Sequence, residues 1–259
     1  MTTADGWATA VRSRLGLGRL LPLGGAADGV WLAERAAAGV LRRTAWAVPG
    51  VSPGRLRIGL ADPESAGEPV VPPPPGALPP GPLRIEADFA VRLAGNRTVP
   101  LPDTAELLRT ALLRDAEERL GLLVTVADLR VTALLEGAAP GEEQAPGEAG
   151  GEEAPGAASG APADALGPAA GTDMRTDGGT GTGTGPTATT AAVAAAVPGV
   201  LRLTSALGPS VHRGADHLRI ELATAPGHRA LDVALAVRAA VGGTLPVSVL
   251  VTDVATGEP

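Results

Sequence analysis

Three histidines, His212, His217 and His228, are the side chains of this chain best suited to metal binding or proton transfer. A zinc site needs three or four cysteine, histidine or carboxylate ligands at closed spacing. The chain has no cysteine, and its histidines do not form a His-x3-His pair. We therefore predict that these histidines lie in loops or at the surface, and that they hold no metal.

A serine hydrolase would need a nucleophile, a base and an acid, and Ser210, His217 and Asp232 supply these residue types. The peptide around the serine is Gly-Pro-Ser-Val, which lacks the Gly-x-Ser-x-Gly turn of many hydrolases. All 21 basic residues are arginines, so a lysine-dependent phosphate loop is excluded. We predict no catalytic residue and no cofactor, and a hydrolase using Ser210 or His217 ranks last among the functions considered.

Charged residues alternate with apolar ones on two predicted strands. Leu83 to Leu93 places leucine, isoleucine, alanine, phenylalanine and valine on one face and charges on the other, and its first residues, Leu-Arg-Ile-Glu, recur at Leu218 to Glu221. Such a face is commonly solvated; the alternative is a surface for self-association. The candidate interaction face consists of Arg84, Glu86, Asp88, Arg92, Arg219 and Glu221.

Residues 1 to 27 predict an amphipathic helix and a loop. Trp7, Val11 and Leu15 are spaced four residues apart, which places them on one helix face. The helix is expected to dock on the neighbouring unit, and the alternative is contact with a membrane surface or a partner.

Residues 28 to 136 predict a first α/β unit. Its first helix runs from Trp31 to Ala47, with Asp28 as the N-cap, and ends at Pro-Gly. The Pro-rich insert 66–82 predicts an extended loop. The remaining predicted elements are strands at 55–60, 83–93 and 123–134, the last bulged near Ala127 and Asp128, and a helix at 103–120.

Residues 137 to 186 predict a disordered acidic linker. They contain eight of the 28 acidic residues and one of the 21 basic ones, and the net charge of the whole chain is −7. The rest of the chain is therefore neutral, without the basic excess that a nucleic-acid-binding protein needs. A segment with so few large apolar residues cannot bury enough surface to fold.

Residues 187 to 256 predict a second unit that repeats the first. Val-Pro-Gly-Val occurs at 48–51 and at 197–200, and each copy is followed by the order strand, strand, helix, strand. The predicted fold class is α/β (α+β): two related two-layer units of α-β-β-α-β order, joined by the disordered linker.

The second unit resembles the alkaline-shock, general-stress envelope family of Gram-positive bacteria. The resemblance rests on an Ala-rich helix that runs into Val-Pro-Gly-Val, the helix at 230–238 and the closing strand from Leu245 to Val254. It implies a non-enzymatic cytoplasmic protein of an actinobacterium-like host, held near the membrane by an anchor protein and tending to self-associate. It supplies no catalytic residues.

The expected function is therefore an envelope-stress role, exercised through protein–protein interaction or self-association near the cytoplasmic membrane face. The expected partners are a membrane-anchor protein and a second copy of the chain, and nucleic acid is not expected. The sequence contains no run of about 18 apolar residues, so no transmembrane segment is predicted. The alternative is a small-molecule-binding or regulatory module with its ligand site between the two units.

Overall fold

The computed structural model describes residues 16–93, 100–136 and 186–257, which belong to one compact unit. The predicted helix with Trp7, Val11 and Leu15 lies outside these residues. The predicted acidic linker also lies outside them, except for Pro186, where a helix begins.

The described residues combine helices with mixed sheets, as the predicted α/β class requires. The α-helices are α1 (Glu34–Ala47), α2 (Leu101–Asp115), α3 (Pro186–Ala195) and α4 (Ala230–Val241). The strands are β1 (Leu20–Leu23), β2 (Val30–Ala33), β3 (Val51–Leu60), β4 (Leu83–Leu93), β5 (Val124–Glu136), β6 (Val200–Leu203), β7 (Val211–Arg213), β8 (Leu218–Thr224) and β9 (Val247–Val254). Among these helices, none is long and apolar enough to cross a membrane.

The larger sheet has six strands in the order β1-β2-β9-β8-β6, and β7 also pairs with β8. Its centre is parallel, because β9 pairs in parallel with both β2 and β8. Every residue of β8 is buried, as is typical of a parallel strand that is covered on both faces.

The smaller sheet has the order β3-β4-β5, with β3 antiparallel and β5 parallel to β4. The predicted alternation of β4 is confirmed, because every second residue from Leu83 to Val91 is buried and the residues between them are not. The predicted bulge of β5 is misplaced: Ala127 and Asp128 pair regularly with β4, and the register shifts fall at Thr125 and Thr132. The Thr132 hydroxyl donates a hydrogen bond to the Phe89 carbonyl at 3.2 Å, which satisfies this polar group at the irregularity.

Helix α2 continues into a π-helical turn, Ala116–Leu120, and ends at Gly121. The predicted apolar face is confirmed, since Leu108, Leu112, Ala116 and Leu120 are all buried. The helix begins at Leu101 and not at Asp103, and Pro100 occupies the capping position.

The predicted start of the first helix is wrong. Trp31 lies in β2, and α1 begins only at Glu34. The four residues of β2 are apolar and buried, and a short apolar run does not distinguish a buried strand from a helix. Asp28 does not cap the helix: its carboxylate accepts a hydrogen bond from the Gly25 amide at 2.6 Å, in the turn between β1 and β2.

The hairpin of β1 and β2 joins the amino-terminal region to the sheet formed by residues 200–254. The predicted domain boundary at residue 28 therefore falls within this hairpin. The buried apolar residues form one core cluster, which includes Leu32, Ile58, Leu112 and Val249. Residues 28–136 and 187–256 thus share a hydrophobic core.

The Pro-rich insert packs against β1. Val71 is buried, and the Leu78 amide donates to the Leu20 carbonyl at 2.8 Å. The Trp31 indole N–H donates to the Leu78 carbonyl at 3.2 Å. The insert therefore covers the outer edge of the larger sheet.

Elements α1 to β5 follow the order α-β-β-α-β, and α3 to β9 follow the same order with β7 added. In both segments an antiparallel strand pair is followed by a parallel one. That the second segment arose as a repeat of the first stays a prediction.

Candidate functional site

A cavity of about 690 Å³ opens beside the carboxyl end of β9. One wall is α1, and the other is formed by the end of β6 and the residues that follow it. Ligands of open α/β sheets commonly bind at the carboxyl ends of parallel strands. The polar side chains that line the cavity are Arg35, Arg43, Arg202, Thr204, Ser205, Thr252, Asp253 and Thr256.

The α1 wall follows from the sequence of this helix. Ala36, Val40 and Leu41 are buried against the core, while Arg35, Gly39 and Arg43 are exposed. These three residues are spaced by four, so they form a row along the helix. A Cβ at Gly39 would have no atom within 4 Å, which leaves open space between the two arginines.

The opposite wall carries an ion pair and a hydroxyl pair. Arg202 Nη2 lies 3.1 Å from Asp253 Oδ2, which joins β6 to the end of β9 across the sheet. The hydroxyl oxygens of Thr204 and Thr252 are 2.8 Å apart, and the Thr252 hydroxyl also donates to the Leu222 carbonyl at 3.2 Å. Several hydroxyl groups thus line the wall beside the Arg202 guanidinium.

The electrostatic balance of the cavity is positive, because three guanidinium groups face one carboxylate. Arg202 neutralises that carboxylate, and the one acceptor of Arg35 among the described residues is the Gly16 carbonyl, at 3.5 Å. Within the part of the chain that the structure describes, Arg43 makes no hydrogen bond or ion pair. Its donors are therefore available to an anion, whose carboxylate or phosphate oxygens match the guanidinium fork.

Four residues of the predicted interaction face, Arg84, Glu86, Asp88 and Arg92, are partly or fully exposed on β4. Arg84 pairs with Asp128 at 3.3 Å. A shallow depression of about 350 Å³ on this face is lined by three arginines and three acidic residues in total, so it has no net charge. This depression by itself offers no electrostatic preference for a charged ligand.

The other two residues of the predicted face are buried: Arg219 is 7% exposed and Glu221 is 0% exposed. The predicted open face does not exist at β8, because the residues of both faces of this strand are buried. Glu221 Oε1 accepts from Arg219 Nε at 3.2 Å, and Oε2 accepts from the Leu207 amide at 3.0 Å. Burial raises the pKa of Glu221. This effect is larger than the lowering of the pKa by these hydrogen bonds and by the Arg219 charge. The pair anchors the loop between β6 and β7.

The residue types considered for catalysis have other partners. His217 Nδ1 lies 2.8 Å from Asp216 Oδ1, and Asp232 pairs with Arg229 at 3.4 Å. The His217 hydrogen bond lowers the pKa of the exposed Asp216. Among the described residues, no three histidine, cysteine or carboxylate side chains form a group that could hold a metal ion.

The sequence analysis did not select Arg35, Arg43 and Arg202. A signal for the first two was present, because arginine, glycine and arginine recur every four residues on the polar side of a helix. Arg202 joins them only through the packing of α1 against β9, which no local pattern reveals.

The cavity also lies where the alternative hypothesis expected a ligand, since α1 belongs to residues 28–136 and the opposite wall to residues 187–256. No relative helps to identify the ligand: comparison of the chain with protein-family models, with curated proteins and with solved structures finds no match.

Proposed function

We propose that this protein is a binding module for a small anionic molecule, held in the cavity between α1 and the ends of β6 and β9. The observation that carries the proposal is the grouping of three arginines and several hydroxyl groups around one cavity. The one carboxylate among its described lining residues, Asp253, is already paired. A bound phosphate or carboxylate group would accept hydrogen bonds from Arg43 and Arg35. It would also receive them from the threonine and serine hydroxyls of the opposite wall.

Calorimetric titration with pyrophosphate at low ionic strength tests this proposal. We expect binding that weakens as salt is added, because salt screens exposed charges. Arg43→Gln should weaken binding about tenfold, since a hydrogen bond to a charged group contributes about 1.5–3 kcal/mol. Arg130→Gln is the matched control, because Arg130 is an exposed arginine on β5 that does not line this cavity. Absence of pyrophosphate binding, or equal losses in both variants, would refute the proposal.

A second candidate function is the one expected from the family resemblance, that of an envelope-stress protein that acts through protein–protein contact. It is favoured by the outer edge of β5, which pairs with no other strand within residues 16–93, 100–136 and 186–257. β5 is an outer strand, and residues 131–135 are all exposed, including Val131, Leu134 and Leu135. Open strand edges with apolar side chains pair readily with another strand.

The other edge of the same sheet is closed by side chains. Glu34 Oε1 accepts from the Ile58 amide at 3.0 Å, and the Arg19 guanidinium donates to the Ile58 carbonyl at 3.3 Å. This difference between the edges supports β5 as the contact strand, with a second copy of the chain as its partner.

Light scattering after size-exclusion chromatography tests the second candidate. We expect a dimer that Leu134→Lys converts to a monomer, because a charge on an edge strand opposes pairing. Leu107→Lys is the control, since Leu107 is an equally exposed leucine on α2. A wild-type monomer at high concentration would contradict pairing at this edge. Cell fractionation before and after envelope stress would then test the cellular role independently.

A further inference from the structure

A second cavity, of about 540 Å³, adjoins the arginine-lined one. The two cavities have Arg43 and Thr256 in common. The second cavity lies along the carboxyl-terminal part of α1 and is also lined by Trp46 and by Arg114 and Arg119 of the α2 region. A ligand bound at Arg43 therefore has room to extend toward Trp46.

Trp46 is the exposed aromatic side chain of the described residues. It is 54% exposed, whereas Trp31 and Phe89 are both 1% exposed and contribute to the core. The Arg92 guanidinium lies 5.7 Å from the centre of its ring, a distance typical of a cation–π contact. Arg92 itself does not line the second cavity.

Asp115 is the one acidic side chain among the described residues that line the second cavity, and it is already satisfied. Asp115 accepts a hydrogen bond from the Thr44 hydroxyl at 2.6 Å, and its two oxygens lie 3.4 Å from Arg114 and Arg119. Asp115 is the last residue of α2 before the π-helical turn, and such turns are frequent at functional sites. Because Arg114 and Arg119 balance the charge of Asp115, the second cavity remains compatible with an anion.

The spacing on α1 connects the two cavities. Arg43 and Trp46 are three residues apart, so they are neighbours on the helix surface, about one turn apart. An anionic group held by Arg43 would therefore place a ring attached to it beside the indole. Exposed tryptophan rings bind flat rings by stacking, largely independently of their identity.

We propose that the ligand is an anion that carries a flat aromatic ring, such as a nucleoside diphosphate, with its phosphates in the first cavity and its ring against Trp46. This inference rests on the proposed anion-binding function and adds the chemical class of the ligand. The ring gives affinity through stacking, and the arginines give affinity through charge.

Titrations with ADP, pyrophosphate and adenosine, in the absence of divalent metal, test the inference on the full chain. ADP should bind about tenfold more tightly than pyrophosphate, because stacking on an aromatic ring adds affinity of this order. Trp46→Ala should remove that advantage and leave the affinity for pyrophosphate unchanged. Trp46→Phe, which keeps a ring, should retain most of it. ADP should also quench a component of the tryptophan fluorescence that Trp46→Phe lacks.

The outcomes separate the inference from the function on which it rests. Equal affinities for ADP and pyrophosphate, or an advantage for ADP that Trp46→Ala leaves intact, would overturn the inference and preserve the anion-binding function. Binding of neither ligand would overturn both. Adenosine binding as tight as that of ADP would show that the arginines contribute nothing to the binding of a nucleotide, and would overturn the inference. Because the Trp46 side chain is half exposed, both variants should fold, which circular dichroism can verify.

Discussion

Glu221 is a carboxylate buried at the centre of a sheet, and its environment has opposing effects on its charge. The Leu207 amide and Arg219 stabilise the charged form, but desolvation outweighs them and raises the pKa. The folded state therefore holds the Glu221 proton more tightly than the unfolded chain does. It follows that Glu221 contributes most to stability at low pH.

The free energy of unfolding of the wild type, relative to that of Glu221→Gln, should fall as the pH rises. A raised pKa in the folded state gives a contribution to the free energy of unfolding that is fully present below the ordinary value of about 4.5. That contribution is lost as the pH rises through the higher pKa of the folded state. Urea denaturation of both proteins at a series of pH values from about 4.5 to about 8 measures this contribution. A difference that instead grew in favour of wild type with rising pH would contradict the assignment.

Gly39 lies inside α1 but faces the arginine-lined cavity, where a Cβ would have no neighbour within 4 Å. Glycine in a helix interior costs about 0.5–1 kcal/mol relative to alanine. We expect Gly39→Ala to raise the free energy of unfolding by about this amount, as measured by urea denaturation.

Gly39→Leu should keep the helix intact but fill part of the cavity and weaken pyrophosphate binding, while Gly39→Ala serves as its matched control. Loss of stability in the alanine variant would show that the space at Gly39 is not open. Unchanged binding in the leucine variant would place the anion elsewhere.

At the scale of elements, the end of the π-helical turn is held close to α4. Gly121 has a φ of 85°, and a Cβ at this position would overlap the Leu231 side chain. The Arg229 side chain also donates from Nε to the Glu117 carbonyl at 2.9 Å. The turn after α2 therefore packs on α4 with no room for a methyl group.

Gly121→Ala and Gly227→Ala form a matched pair for this contact. Both glycines have positive φ angles, 85° and 77°, but a Cβ at Gly227 would have no neighbour within 4 Å. Gly227→Ala should lower the free energy of unfolding by about 1 kcal/mol from backbone strain alone. Gly121→Ala should lower it further, because overpacking typically adds about 1–3 kcal/mol. Equal losses in chemical denaturation would indicate that α4 moves aside freely.

At the scale of the whole molecule, the shared core predicts one cooperative unfolding transition. All three tryptophans precede residue 50, so their fluorescence reports on the first segment, whereas circular dichroism reports on both. Because β2 pairs with β9 and the core is continuous, the two curves should coincide during urea denaturation.

A variant with a tryptophan reporter in the second segment, Val193→Trp, should give the same midpoint. Val193 is partly exposed on α3, so the substitution adds no bulk to the core. A second transition that appears in circular dichroism and not in fluorescence would show that the segments unfold separately.

Local sequence patterns were sufficient for most of the elements. The alternation of β4 and the four-residue spacing of α2 can be read from short segments of the sequence. The side chains on one face of an element must all pack on the same core, so apolar residues recur with the period of that element. The same reasoning failed for β2, whose four apolar residues carry no periodicity. It also failed for Arg219 and Glu221, because an alternating charge pattern does not reveal that the charged face of β8 is buried.

By itself, the sequence determined that this chain forms an α/β protein with strands and helices in a definite order and without lysine- or cysteine-dependent chemistry. Only the tertiary structure decided that β2 joins β9, that residues 28–136 and 187–256 share one core, and that Arg35, Arg43 and Arg202 surround one cavity. The physical reason is the separation along the chain of the residues that interact. Periodicity reports which face of an element is buried, whereas strand pairing and cavities arise between residues that are distant in the chain and leave no local pattern.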